Sequence, residues 1–219
     1  MAQPGFDGIE LVVRAIAQTA VDNEAYFSDL DAVVGDGDFG YSLARGFEIV
    51  LATWDDIDRT DAATFLRKVA VVITSRVGGT SGPLWGTAFM RAGKAAADLE
   101  RVGADQAIAM LNAAIAGVKE RGQSDVGDKT LLDALVPAAD DLERRLSEGT
   151  EPAVALAGAA AVARTAAEGT SSMLAKRGRA AYTGERSIGS PDAGAIGVAV
   201  MFETIARVWP ESPRESASN

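Results

Sequence analysis

Three aspartates, Asp31, Asp36 and Asp38, crowd one glycine-rich stretch of the chain, Leu-Asp-Ala-Val-Val-Gly-Asp-Gly-Asp-Phe-Gly. Carboxylate oxygens suit Mg²⁺, which takes one or two protein carboxylates together with phosphate oxygens and water. Because a nucleotide brings about three or four negative charges, three aspartates tolerate it only beside about four positive charges of metal. The stretch therefore predicts a site for two Mg²⁺ ions, while a turn followed by a helix N-cap is the alternative explanation.

Two familiar motifs fail on this stretch. Residues 35–40 have the G-x-G-x-x-G spacing of dinucleotide-binding loops, but they follow a helical pattern instead of a strand, and their aspartates would repel a pyrophosphate. An EF-hand needs a glutamate at position twelve of its loop, where Phe47 stands when the count starts at Asp36. Neither a Rossmann loop nor an EF-hand is predicted.

A second glycine-rich loop, Val-Gly-Gly-Thr-Ser-Gly-Pro-Leu-Trp-Gly, covers residues 77–86. Glycines let the backbone approach an anion, and a helix that begins near Pro83 offers free amides and a favourable dipole. The lysine of a Walker A loop is missing. The loop is interpreted as a phosphate-binding loop, with a plain helix-start turn as the equal alternative.

Three later connections also carry polar residues. In Arg-Gly-Gln-Ser-Asp-Val-Gly-Asp-Lys-Thr, residues 121–130, Asp128 is expected to cap the following helix. Residues 176–189, called here the basic segment, place four cations within eleven positions of an acidic chain. They form either a phosphate-binding wall or a complement to a helix dipole. Residues 190–194 start the last helix, as a cap or as a ligand contact.

Composition narrows the chemistry further. The chain holds no cysteine and no histidine, which excludes thiol nucleophiles, disulfides, imidazole bases and the usual zinc ligands. Its 21 basic and 31 acidic residues give a net charge of -10, which disfavours nonspecific binding to nucleic acid or anionic lipid. We expect no nucleic-acid or membrane partner, and chemistry that rests on carboxylates, hydroxyls, lysine, arginine, backbone amides and bound ions.

Neither a signal peptide nor a transmembrane segment is expected. The first ten residues lack a basic stretch followed by an apolar one. The run at residues 152–163, among the longest without charge, is shorter than the roughly 20 residues that cross a bilayer. Together with the absence of cysteine, these features predict a cytoplasmic protein.

The elements that carry the loops are predicted to be helical. Apolar side chains recur at the helical period in eight segments, which are residues 9–20, 43–54, 65–73, 83–99, 108–118, 131–146, 152–175 and 196–208. No alternating or β-branched run predicts a strand. Since no linker divides the segments, we expect one all-α domain over residues 1–209 and a frayed polar tail over residues 210–219.

Four motifs in this order resemble the nucleotide-binding L subunit of dihydroxyacetone kinases, the DhaL or DAK2 family. They are Gly-Asp-Gly-Asp-Phe-Gly, the loop at residues 77–86, Gly-Asp-Lys-Thr and Lys-Arg-Gly-Arg-Ala-Ala-Tyr, and the resemblance spans nearly the whole chain. It implies an antiparallel eight-helix barrel with nucleotide and metal loops at one end. It also implies that Asp31, Asp36 and Asp38 hold two Mg²⁺ ions on the phosphates of ADP or ATP.

The resemblance implies further contacts and a partner. The implied nucleotide contacts are Phe39, Gly40, Tyr41, Ser42, Thr80, Ser81, Gly122, Leu131, Arg179, Asp192, Ala193 and Gly194. In the family, a separate K subunit holds a short ketose on a histidine. Phosphoryl transfer then needs metal-assisted positioning and no covalent residue of this chain. A K-subunit partner is expected, and a homodimer is an open alternative to a monomer.

Phe39 departs from the family pattern and bears on the phosphoryl donor. Members that use the phosphotransferase system have histidine there, and ATP-dependent members have cysteine. Residues 184–189 and the stand-alone length favour the phosphotransferase type, in which a phosphohistidine protein recharges bound ADP, whereas Gly37 resembles the ATP-using enzymes. The alternatives are an ATP-dependent kinase for dihydroxyacetone or erythrulose, a kinase for another acceptor such as a fatty acid, and a nucleotide-binding regulatory module.

Overall fold

The structure, a computed structural model, describes residue 3 and residues 5–210. Nine α-helices and no strand occur in this part of the chain: α1 (Phe6–Asp22), α2 (Glu24–Ala32), α3 (Phe39–Ala52), α4 (Ala62–Arg76), α5 (Ser81–Ala95), α6 (Ala104–Gly122), α7 (Leu132–Ser147), α8 (Pro152–Gly169) and α9 (Ala193–Val208). The predicted all-α class is confirmed. The expected frayed tail lies, from residue 211 onward, outside the described residues.

The helix count of eight was wrong by one, because α2 was not predicted. This helix is short, and Phe27 is its one buried residue, so no apolar face repeats along it and the sequence gives little periodic signal. Its place matters for function, since Asp31 lies in its last turn and the two other aspartates follow in the loop before α3.

The eight longer helices form a closed ring. Each packs against the next longer helix along the chain, and α9 returns to pack against α1, while α2 lies against α3 and α9. This closed order of contacts is compatible with the implied eight-helix barrel, which stays a prediction. It also brings loops that are far apart in sequence to a common end of the bundle.

The core differs between the two sides of the ring. On one side, Phe65 makes edge-to-face contacts with Phe6 and Trp54, at centroid distances of 5.5 and 5.6 Å, and burial of such rings contributes roughly 1.5–3 kcal/mol each. On the other side, alanines of α7, α8 and α9 fill the core. Ala155, Ala159 and Ala163 are fully buried on one face of α8, so close helix packing, besides helix propensity, accounts for the alanine content.

No helix within the described part of the chain combines the length and the apolar character that crossing a membrane requires.

Candidate functional site

The three aspartates of the glycine-rich stretch come together as a cluster. One carboxylate oxygen from each of Asp31, Asp36 and Asp38 lies within 4.8 Å of the other two. The turn folds around Asp31, whose Oδ2 accepts the Gly37 N–H at 2.9 Å and whose carbonyl accepts the Gly35 N–H at 2.6 Å. Gly37 has a φ of 74°, which favours glycine there. Hard oxygens converging from three charged groups fit Mg²⁺.

Arg179, from the basic segment, supplies the cation that faces this cluster. Its guanidinium pairs with the carboxylate of Asp36, and its second terminal nitrogen lies 3.2 Å from Asp38 Oδ2. Asp38 occupies the N-cap position of α3 but makes no side-chain cap hydrogen bond. The N-cap alternative for Asp38 is therefore not supported, and its carboxylate is directed to a cation instead.

The loop before α5 lies next to the first turn of α3. Gly78 approaches α3 so closely that a Cβ at this position would stand 3.1 Å from Ser42 Oγ. Thr80 is the N-cap of α5, and its side chain makes no cap hydrogen bond. Gly78, Gly79 and Thr80 are exposed. A helix N-terminus with exposed glycine backbone is the arrangement that binds phosphate.

The remaining candidate positions meet at the same loops. A Cβ on Gly122, the last residue of α6, would lie 3.2 Å from Leu84 in the first turn of α5. A Cβ on Gly194, at the start of α9, would lie 3.3 Å from the Cβ of Leu131. The structure thus brings four connections together at one end of the bundle, namely those that precede α3, α5, α7 and α9.

Asp192 has a structural role as the N-cap of α9. Its Oδ2 accepts the Ala195 N–H at 2.8 Å, and its own N–H donates to Thr170 Oγ1 at 2.8 Å. Burial raises the pKa of Asp192 to about 7, and the neighbouring carboxylates Asp133 and Asp31 act in the same direction. The Ala195 hydrogen bond and the Lys129 ammonium oppose this rise in pKa. Asp192 therefore caps α9, and burial is the main cause of its raised pKa.

Two of the implied nucleotide contacts use their side chains elsewhere. The ring of Phe39 packs against Phe27, with centroids 6.0 Å apart, and a Cβ on Gly197 would lie 3.6 Å from the Phe39 ring. The exposed ring of Tyr41 lies under the guanidinium of Arg45, 5.2 Å from the ring centroid. For both residues, a ligand would be contacted by backbone groups in the first turn of α3.

The predicted helix cap at Asp128 is wrong. Helix α7 begins at Leu132, too far along the chain for Asp128 to cap it. The Asp128 carboxylate instead accepts the Asp125 N–H at 3.1 Å and lies 3.3 Å from Lys176 Nζ and 3.6 Å from Arg177 Nε. It holds the start of the basic segment.

Sequence reasoning missed two residues that shape this turn. Asp133, 4% exposed, accepts the N–H groups of Gly127 and Thr130 at 2.6 and 2.7 Å. Lys129 is 1% exposed, and burial lowers its pKa although Asp192 opposes this. An acid in the first turn of a helix was a usable signal for Asp133. Lys129 belongs to the Gly-Asp-Lys-Thr motif, but nothing in the motif indicates its buried hydrogen bonds, because the partners are remote in sequence.

An all-helical bundle whose loops gather three carboxylates, an arginine and a helix N-terminus defines a protein that handles a metal-bound phosphate. The chain belongs to the DAK2 domain family, whose family model matches residues 33–207. Because the match begins after Asp31, the place of Asp31 in the cluster rests on the geometry.

Particular relatives narrow this class. The chain is 37% identical over 181 residues to the ADP-binding subunit DhaL of the PEP-dependent dihydroxyacetone kinase of Escherichia coli K12, covering 83% of this chain and 86% of that protein. It is 37% identical over 199 residues to the L-erythrulose 1-kinase of Mycolicibacterium smegmatis, covering 90% of this chain and 34% of that protein.

A solved structure of similar fold is also that of a dihydroxyacetone kinase. The dihydroxyacetone kinase of C. freundii in complex with AMP-PNP and Mg²⁺ superimposes with a TM-score of 0.74 at 26% identity, covering 94% of this chain and 35% of that chain. The present chain thus spans about a third of this enzyme and of the erythrulose kinase, but most of the separate E. coli subunit.

Proposed function

We propose that this chain is the ADP-binding subunit of a PEP-dependent dihydroxyacetone kinase, which works in the cytoplasm with a separate K subunit that holds the ketose. The carrying observation is the cluster of Asp31, Asp36 and Asp38, with one oxygen of each within 4.8 Å of the others. The match to the E. coli ADP-binding subunit supports this assignment, because it runs over 86% of that subunit at 37% identity.

In this proposal the chain positions and neutralises phosphates. Asp31, Asp36 and Asp38 would hold two Mg²⁺ ions, which supply positive charge to the phosphates of ADP or ATP. The exposed amides before α5 bind phosphate oxygens, and Arg179 adds a cation beside the cluster. No residue of this chain needs to form a covalent intermediate, since orientation and charge stabilisation carry phosphoryl transfer.

Reconstitution tests the donor. With a K subunit, dihydroxyacetone and a phosphohistidine protein fed by PEP, we expect dihydroxyacetone phosphate to form with ADP present in amounts stoichiometric with the chain. Turnover with ATP alone, without the phosphohistidine protein, would instead identify an ATP-dependent kinase. Testing L-erythrulose in parallel measures acceptor preference. Intact nucleotide binding without transfer from either donor would favour a regulatory module.

We further propose that the K subunit docks on the loops that surround the aspartates. Exposed apolar side chains lie on the loop before α3, in the first turn of α3, on the turn before α7 and in and around the basic segment. They are Val33, Tyr41, Val126, Leu174, Tyr182 and Ile188. Large exposed apolar groups in one region mark an interaction surface. Docking at this end would bring the ketose to the nucleotide phosphates.

Tyr182→Ser is expected to weaken K-subunit binding about tenfold, because an exposed aromatic side chain is typical of an interface anchor. Tyr182 is 91% exposed, so its loss leaves the fold and the affinity for Mg-ADP unchanged. Val71→Ser, at a residue of α4 that is 58% exposed, is the control. Calorimetric titration with the K subunit measures the difference, and equal affinities of the two variants would exclude Tyr182 from the interface.

A further inference from the structure

Lys129 is a buried lysine without a carboxylate hydrogen-bond partner. Its ammonium donates to three backbone carbonyls, those of Met173 at 3.2 Å, Ser190 at 2.7 Å and Ser187. Three acceptors match the three protons of an ammonium group. Lys129 also has a φ of 61°, a conformation that non-glycine residues adopt only where their surroundings impose it.

These three carbonyls lie before, within and after the basic segment. The ammonium therefore holds the two ends of the segment together, and this junction is called here the base of the loop. The closure is reinforced from inside: Ser187 Oγ accepts the Ala175 N–H at 3.0 Å and donates to the Gly184 carbonyl at 2.7 Å. The Gly189 N–H donates to the Ser171 carbonyl at 2.8 Å. The stretch is a loop folded around one buried charge.

The neighbouring residue anchors the same loop from outside. The Asp128 carbonyl accepts the Lys176 N–H at 3.1 Å, and its carboxylate pairs with the side chains of Lys176 and Arg177. Adjacent residues of one turn thus fix the start and the base of the basic segment. Two residues after Arg177, the side chain of Arg179 reaches Asp36 and Asp38.

We propose that Lys129 is a positioning residue of the nucleotide site, whose buried ammonium holds the basic segment in the conformation that presents Arg179 to the aspartate cluster. Neutral side chains at position 129 leave three carbonyls without a donor, and the base of the loop opens. The part of this inference that concerns nucleotide affinity rests on the proposed function, while the part that concerns the loop does not.

Lys129→Cys tests the ammonium directly, because the chain has no other cysteine. Alkylation with 2-bromoethylamine in denaturant, followed by refolding, restores an ammonium at nearly the length of lysine. In the unmodified variant we expect trypsin to cleave after Arg177, Arg179 and Arg186 about tenfold faster than in the wild type. Affinity for Mg-ADP falls about tenfold, since the competent conformation is less populated. Aminoethylation returns both quantities to near the wild-type values.

Lys68→Cys, at an exposed position of α4, is the control for alkylation and refolding. Asp128→Asn, which loosens the outer anchor without emptying a buried site, is expected to raise cleavage of the segment about threefold. If unmodified Lys129→Cys does not fold, the aminoethylated protein decides the question, because the proposal requires it to refold with cleavage rates near those of the wild type. Unchanged cleavage in the folded variants, or cleavage that rises equally along the whole chain, would overturn the proposal. If the wild type binds no Mg-ADP, the proposed function fails, and the cleavage rates still decide the role of Lys129.

Discussion

Replacing Asp36 and Asp38 together by asparagine is expected to lower the affinity for Mg-ADP by about a thousandfold, the largest effect of any change considered. Both carboxylates belong to the cluster whose oxygens converge within 4.8 Å. Amide oxygens carry no charge and bind Mg²⁺ poorly, so the phosphates would approach Asp31 without enough compensating charge. Calorimetric titration with ADP, in the presence of Mg²⁺ and again with chelator, measures the loss.

The double substitution Asp29→Asn and Asp55→Asn is its matched control. Both of these aspartates are exposed and lie outside the cluster, and the net charge changes by the same amount. Because asparagine has the size of aspartate and the turn is held by Asp31, thermal unfolding with chelator present should show both double variants folded. Equal Mg-ADP affinity in the two variants would remove the aspartate cluster from nucleotide binding.

Metal and phosphate binding were predictable because the residues that indicate them are close together in the sequence. Three aspartates among glycines, and a glycine-rich stretch before a helix, suggest metal and phosphate without any knowledge of the fold. The structure adds that Gly78 lies against Ser42 and that Arg179 faces Asp36. These pairings depend on the closed ring of helices, and no spacing in the sequence reveals them.

What the sequence could not predict depends on contacts between distant segments. Lys129 hydrogen-bonds to carbonyls 44 and 61 residues further along the chain. The Asp128 carboxylate, which local rules assign to a helix cap, pairs with Lys176, 48 residues away. The carboxylate of Asp128 forms ion pairs with two cations that are adjacent in sequence, Lys176 and Arg177. It could not cap α7 in any case, because that helix begins only at Leu132.

Phe39 shows how packing resolves a departure from a family pattern. A phenylalanine at this position does not indicate the phosphoryl donor. In the family pattern, histidine there is typical of members that use the phosphotransferase system, and cysteine is typical of ATP-dependent members. In the structure the ring of Phe39 packs between Phe27 and Gly197. The side chain therefore contributes to the packing of α2, α3 and α9, and a change of residue type there leaves the backbone free to contact phosphate.

Arg179→Met is expected to change the affinities for Mg²⁺ and for nucleotide in opposite directions. In the free chain the guanidinium pairs with Asp36 and Asp38, so Mg²⁺ must displace it to reach both carboxylates. Without the arginine, Mg²⁺ alone should bind about tenfold more tightly, because no cation competes for the oxygens. Mg-ADP should bind about tenfold more weakly, because a cation next to the phosphates is lost.

Arg186→Met is the control that separates the effect of the direct contact of Arg179 from the effect of a change in net charge. Arg186 is an exposed residue of the same segment, and its loss changes the net charge by the same amount, so a long-range field effect would appear equally in both variants. Titrations with Mg²⁺ and with Mg-ADP should leave Arg186→Met near the wild type. If Arg179→Met weakened the binding of both Mg²⁺ and Mg-ADP, the role of the arginine would be limited to organising the loop. If it changed neither, its pairing with the aspartates would have no part in binding. Opposite shifts arise only when one side chain competes with the metal in the empty site and assists the phosphates in the filled one.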